Sequence, residues 1–463
     1  MKSDFLKLLR EGDTISFPQQ IRMILKLSTP AIMAQISSII MQYIDAAMVG
    51  HLGANDSASI GLISSSTWLL GGLCSAAGIG FTVMIAHRIG AEKKKEARNI
   101  VKLGLISSFL FSIVLMIAGV AVSGALPRWL GGTPELFKGA SGYFRIYSIF
   151  IPILGLNYIA GGMLQCSGNM KLPSILNIFM CFLDVIYNYF LIFPTRNIVI
   201  LGRSVRVFGA GMGITGAALG TGLAELTIVI FMIRHLLFKS ELLHVRKDEK
   251  FYYSPMEMIS AVKIAVPIGI EQIIMCGAYI ASTKIVSPLG TVAIAAHSFS
   301  ITAESLCYMP GYGVGTAATT IVGQSIGAGR RELTRRLGWL ATGIGIILMA
   351  ASGYLMYRYA PFMIGFLTND PDIRSLGATV LRIEAYAEPM YAASIVASGV
   401  FRGAGDTFIP SCLNFCSMWL IRIPLSAHLA PRYGLIGVWL AMCLELCIRG
   451  ILFLGRMLIK KYA

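Results

Sequence analysis

Thirteen ionisable residues interrupt long apolar stretches of the 463-residue chain, and any chemistry falls to them first. In the first half they are Asp45, Arg145, Asp184 and Glu225. In the second they are Glu271, Lys284, Glu304, Arg382, Glu384, Glu388, Arg422, Glu445 and Arg449. An ionisable group at membrane depth is expensive, so it either serves a function or is paired. Glu445 and Arg449 stand one helical turn apart and pair with each other. Arg145 and Arg382 sit near the ends of their stretches, where a long side chain reaches the headgroups at little cost. Asp45 and Asp184 have no basic residue within a turn. Two such carboxylates brought together repel and lose hydration, which suits them to share a proton or a monovalent cation. Asp184 and Asn188 are spaced i,i+4 and place a carboxylate and an amide on one helix face. Thr221, or Thr215, adds a hydroxyl. Sodium, which wants several oxygen ligands, is possible at Asp45, Asp184 and Asn188 if such neutral oxygens join them. Glu271, Glu304 and Lys284 make a second local charge network, whose plainer reading is a satisfied buried ion pair.

Composition says what scaffold must hold these side chains. Apolar residues make up 56% of the chain and charged residues 13%, against about 25% charged in soluble domains. Too few charges remain for a water-facing skin, and disordered, coiled-coil and nucleic-acid-binding classes fall with it. The 39 Lys+Arg against 23 Asp+Glu then read as basic loops facing the cytoplasm and anionic headgroups. The nine cysteines lie in apolar runs without CxxC or His/Cys ligand spacing and act as small hydrophobes. Residues 1–27 carry scattered charges and no apolar core, which argues against a secretory signal.

A span needs about 20 mostly apolar residues. Twelve such windows are predicted as helices: 28–50, 57–86, 99–122, 139–165, 173–193, 212–238, 261–287, 293–320, 337–360, 378–401, 410–430 and 435–459. Alternate loops and both tails hold 24 of the basic residues and the other loops eight, so both termini are expected in the cytoplasm. The chain also repeats itself. A shift of 237 residues aligns Pro30/Pro267, Gln35/Gln272, Gly53/Gly290, Ile89-Gly90-Ala91/Ile326-Gly327-Ala328, Arg145/Arg382, Pro152/Pro389, Gly168/Gly405 and Asn177/Asn414. The shift drops to 221 at Gly213/Gly434, which leaves an outer-loop insertion near 194–211 in the first half. A six-helix unit is thus duplicated in one orientation, a plan with two lobes and a cleft between them. The expected divisions are an N-terminal segment 1–27, a first lobe 28–238, a cytoplasmic linker 239–260 and a second lobe 261–463.

Further short runs carry a resemblance. They are Pro30-Ala-Ile-Met-Ala-Gln35, Asp45-Ala-Ala-Met-Val-Gly50-His-Leu-Gly53, Met309-Pro310-Gly311-Tyr-Gly313, Val322-Gly323-Gln324-Ser-Ile-Gly327-Ala328-Gly329 and Phe401-Arg402-Gly403-Ala-Gly405-Asp406. In this order, with the 237-residue echo, the chain resembles the multidrug and toxic compound extrusion family nearly end to end. The resemblance implies an all-α, twelve-helix, two-lobe antiporter of the plasma (cell inner) membrane. It would expel organic, often cationic, compounds in exchange for H⁺ or Na⁺, as a monomer without cofactor, catalytic residue or nucleic-acid partner. The family places an acid at Asp45 and an Asn/Asp pair on the fifth helix, here in the order Asp184, Asn188. Gln35 joins Glu271, Glu304 and Lys284 as candidates for substrate contact or a secondary charge network. Sodium-coupled relatives carry a Glu on helix seven and an Asp on helix ten. Met275 and Tyr391 stand there in this chain, so that site does not transfer. The alternative within the same superfamily is a lipid-linked precursor flippase, which has fourteen helices and a basic cavity. A membrane enzyme is disfavoured without HExxH or GxSxG, as is nucleotide-driven transport without GxxxxGK[ST].

Overall fold

The computed structural model describes residues 7, 9, 15–200, 203–245, 249 and 251–460. Its helices are α1 (Phe17–Gly50), α2 (Ala54–Gly90), α3 (Lys94–Val122), α4 (Pro134–Cys166), α5 (Lys171–Ile192), α6 (Gly213–Arg234), α7 (Pro255–Val286), α8 (Thr291–Gly327) and α9 (Arg331–Gly365). α10 is broken into Pro371–Glu384 and Glu388–Gly403. α11 begins as Phe408–Cys416, widens through a π-helical turn at Ser417–Arg422 and runs on to Gly434. There the backbone turns (φ 59°, ψ −141°), and α12 occupies residues 435–459. Nine described segments are long and apolar enough to cross a membrane. The last covers both α11 and α12, and the broken α10 and the polar-flecked α8 complete the twelve.

Most helices outrun their apolar windows, because polar turns at the ends continue into water and are capped there. α1 starts eleven residues early, where Ser16 N–H donates to Gln19 Oε1 (2.9 Å). At α7, Pro255 sits in the first turn and Ser254 Oγ accepts from Glu257 N–H (3.3 Å). The insertion at 194–211 is an antiparallel hairpin, β1 (Pro194–Ile200) and β2 (Arg203–Ala210), where only a loop was expected. It marks one end of the molecule, hereafter the hairpin end. The opposite, basic end carries the 91–94, 167–170 and 328–330 turns. The basic residues Lys2, Arg10, Arg246, Lys247, Lys250 and Lys461 lie outside the described residues.

The repeat is visible in packing as well as in sequence. Within the first half α1 packs on α5, α2 on α4, α4 on α6 and α5 on α6. Within the second α7 packs on α11, α8 on α10 and α10 on α12. The 237-residue mates Gly53/Gly290 and Gly168/Gly405 all take positive φ, and so do the 221-residue mates Gly213/Gly434 (φ 58° and 59°). The halves meet along α1–α8, its mate α2–α7, and the central α2–α8 crossing. At the basic end of that crossing a Cβ on Gly90 would lie 2.1 Å from Gln324 O. One on its mate Gly327 would lie 2.1 Å from His87 O. The backbones touch there, and no larger residue fits without parting the helices.

Candidate functional site

α1, α5 and α6 converge in the hairpin half of the first lobe, and the acids expected to meet do meet. Asn188 Nδ2 donates to Asp45 Oδ1 (2.9 Å) and to Asp184 Oδ2 (3.0 Å), so one amide bridges the two carboxylates. Asp184 and Asn188 are fully buried and Asp45 half-buried. Asn188 sits close under α6 because residue 220 is glycine: a Cβ there would lie 2.1 Å from Asn188 Oδ1. Thr221 of α6 stands beside Asp184, whereas Thr215 is spent on Met212 O (2.7 Å) at the helix start. Asp184 Oδ1 and Asn188 Oδ1 are buried without a hydrogen-bond partner among the described residues. No ion pair reaches either aspartate among those residues.

Two side chains extend this cluster beyond the expected set. Glu225, one turn from Thr221 on α6, accepts from Asn157 Nδ2 of α4 (2.7 Å) and faces Asp184. Tyr143 of α4 stands near both Asp45 and Asp184. Glu225 was visible as a buried acid, but nothing local in the sequence pairs it with Asn157, 68 residues away.

The secondary network is not assembled as expected. Glu271 of α7 accepts from Ser411 Oγ and Asn414 Nδ2 of α11, both at 2.7 Å, and is satisfied by neutral donors. Lys284 lies thirteen residues further along α7, about 20 Å away along the axis, and is exposed. Glu304 of α8 instead faces Arg422 and Arg449. Gln35 is half-buried on α1 and makes no side-chain hydrogen bond among the described residues. Its mate Gln272 packs across the seam on Gly72.

In the second lobe the expected Glu445–Arg449 pair forms with two hydrogen bonds (2.8 and 2.9 Å). A second guanidinium, Arg422, binds the same carboxylate at 2.9 and 2.7 Å. Arg422 reaches it from the π-helical turn of α11, a widening that apolar periodicity does not reveal. Arg449 also lies over the ring of Tyr391 (5.6 Å), the helix-ten position that carries an acid in sodium-coupled relatives. Glu384 and Glu388 flank the break in α10, each 1% exposed, and none of their carboxyl oxygens has a partner among the described residues.

Comparison with known proteins fits this arrangement. The MatE family profile matches residues 30–190 and again 267–427, the same 237-residue shift that relates the two lobes. This chain belongs to the MatE family. Within it, the probable multidrug resistance protein NorM of Thermotoga maritima is 26% identical over 449 residues, covering 94% of this chain and 91% of its own. The protein of the same name from Oceanobacillus iheyensis is 26% identical over 451 residues, covering 96% and 98%. Among solved structures, an outward-facing multidrug resistance MATE family transporter of the MOP superfamily superposes with TM-score 0.87 at 21% identity, covering 99% of this chain and 98% of that one. A MOP superfamily transporter from Pyrococcus furiosus gives the same TM-score, identity and coverage. The MatE fold has twelve spanning helices here among the described residues, and the fourteen-helix flippase reading is not favoured.

Proposed function

We propose that this protein is a cation-coupled antiporter that exports organic compounds, cationic or amphipathic, by alternating access, with Asp45, Asp184 and Asn188 as its coupling site. One observation carries the reading: two carboxylates from different helices share a single amide donor, with no cationic partner among the described residues. MatE membership and the multidrug resistance names of the NorM relatives support export as the direction and drugs or metabolites as the cargo. In the membrane, the excess of basic residues at one end favours both termini in the cytoplasm. The two lobes that alternate are 28–238 and 261–463, joined by the linker 239–260.

The coupling ion in this reading is the proton. Asn188 presents its NH₂ to both aspartates, an assignment that follows from both partners being acceptors, and turns its oxygen towards Gly220. Sodium at this place would find two carboxylates and Thr221, but not the amide oxygen it needs. A proton needs only the carboxylates. With both aspartates ionised the pocket holds an organic cation. Proton entry from the hairpin side neutralises one carboxylate, weakens that hold and releases the cargo outside. Loss of the proton to the cytoplasm restores it.

Efflux of a fluorescent organic cation from proteoliposomes, with ΔpH and ΔNa⁺ imposed separately, tests the reading. ΔpH alone is expected to drive it. Full export by Asp45→Asn with unchanged dependence on both gradients would place the coupling site elsewhere.

A further inference from the structure

The seam at the basic end holds two contacts that the repeat makes equivalent. His87 of α2 reaches across to the second lobe, where its Nε2 lies 2.8 Å from Gly403 O. Gln324 of α8 reaches the other way, donating from Nε2 to Cys166 O at 2.7 Å. His87 and Gln324 are 237 residues apart, and so are Cys166 and Gly403. Each acceptor is the last residue of its helix, α4 or the second segment of α10. After each, the chain closes by the same three backbone bonds. Ser167, Gly168 and Asn169 donate to Met163, Gln165 and Leu164, and Ala404, Gly405 and Asp406 donate to Val400, Arg402 and Phe401. That closure leaves Cys166 O and Gly403 O without a backbone donor among the described residues, as happens to carbonyls at helix ends. The opposite lobe supplies the missing hydrogen in both cases. A carbonyl only accepts, so His87 carries its proton on Nε2.

We infer that His87 and Gln324 are a symmetric pair of positioning residues that latch the basic ends of the two lobes together, and that alternation requires both latches to release. The contact suits a gate. When the lobes part at this end, water enters and hydrates the two carbonyls, so release costs little more than the bonds themselves. The touching backbones at Gly90 and Gly327 keep the latches short and exclude water while closed. The inference rests on transport by alternation of the lobes and is indifferent to the coupling ion.

Hydrogen–deuterium exchange of the full-length protein in lipid nanodiscs, read by mass spectrometry without substrate or gradient, tests it apart from the coupling site. His87→Leu and Gln324→Leu keep the packing volume and remove the donors. Each should speed exchange of segments 83–92 and 321–330 by about fivefold, the effect of one ordinary hydrogen bond, and the double variant by more. Segment 40–60 at the hairpin end should exchange as in the native protein. His87→Gln, which gives the first latch the donor of the second, should restore native exchange. Native exchange at the seam in both leucine variants would overturn the inference. So would equal acceleration throughout both lobes, or failure of His87→Gln to restore.

Discussion

Asp184 of α5 and Glu445 of α12 are both fully buried carboxylates, yet their surroundings differ in sign. Asp184 shares an amide with a second acid and faces a third, Glu225. Glu445 is clasped by Arg422 and Arg449. By the 237-residue repeat the counterpart of Asp184 is residue 421, next to Arg422, and by the 221-residue shift the counterpart of Glu225 is residue 446, next to Glu445. Duplicated helices therefore carry an aspartate on one side and an arginine on the other at one level. The first lobe leaves Asp45 and Asp184 without a fixed counterion among the described residues, whereas the second clasps Glu445 between two guanidinium groups. Burial is costly in both, but only a carboxylate without a fixed counterion gains by taking one up.

The largest expected effect is on coupling. Asp45→Asn and Asp184→Asn should each cut ΔpH-driven efflux to below about a tenth of the native rate while the protein stays folded and membrane-inserted, as size-exclusion profiles would report. Glu445→Gln should do the reverse. Two buried guanidinium groups lose their partner, at a cost of about 3–5 kcal/mol, and a large fall in Tm or failure to express is expected. If Asp184→Asn lowers Tm as far as Glu445→Gln does, the first lobe's acids are structural and the contrast collapses. Gly220→Ala comes next. It drives a methyl into Asn188, and a loss of about 1–3 kcal/mol together with weaker ion-driven transport should follow.

Smaller effects belong to the second lobe. Glu271→Gln should lower the initial efflux rate about two- to threefold without altering its dependence on ΔpH, since Ser411 and Asn414 are neutral donors. Loss of ion-driven efflux in that variant would move coupling into the second lobe. The smallest effect lies outside both clusters, in the turn between α10 and α11. Burial there acts to raise the Asp406 carboxyl, but Lys460 (2.8 Å) and Arg456 (2.9 Å) outweigh it and hold it below the usual carboxylate range. Its folded value lies beneath its unfolded one. The stability it adds is therefore complete above the unfolded value and is lost as pH falls through the folded one. Asp406→Asn should cost about 1 kcal/mol in Tm scans at neutral pH, and the difference should shrink below about pH 4.

The repeat made much of this readable in advance. Twelve apolar windows and the shift from 237 to 221 residues located the helices and the insertion, because span length and turn glycines are local properties. Asp45 and Asp184 stand out because each lacks a nearby opposite charge on its own helix, and Asn188 because it lies one helical turn from Asp184. The hairpin did not stand out, since a short two-stranded excursion resembles a loop in composition. The Asn157–Glu225 and Arg422–Glu445 bonds link helices that only folding brings together. The supposed network of Glu271, Glu304 and Lys284 failed for the matching reason: nearness in sequence and in charge type says nothing of which helix face each side chain takes.

The glycine contact between α2 and α8 also has a mechanical consequence. Both helices have 37 residues and cross at their ends, so each extends about 55 Å from that point. While the latches of His87 and Gln324 hold and the backbones touch at Gly90 and Gly327, the crossing is a fulcrum for opening at the hairpin end, and the helices are its arms. A tilt of about ten degrees between them carries the far tips some 10 Å apart, wider than an aromatic ring, without either helix having to bend.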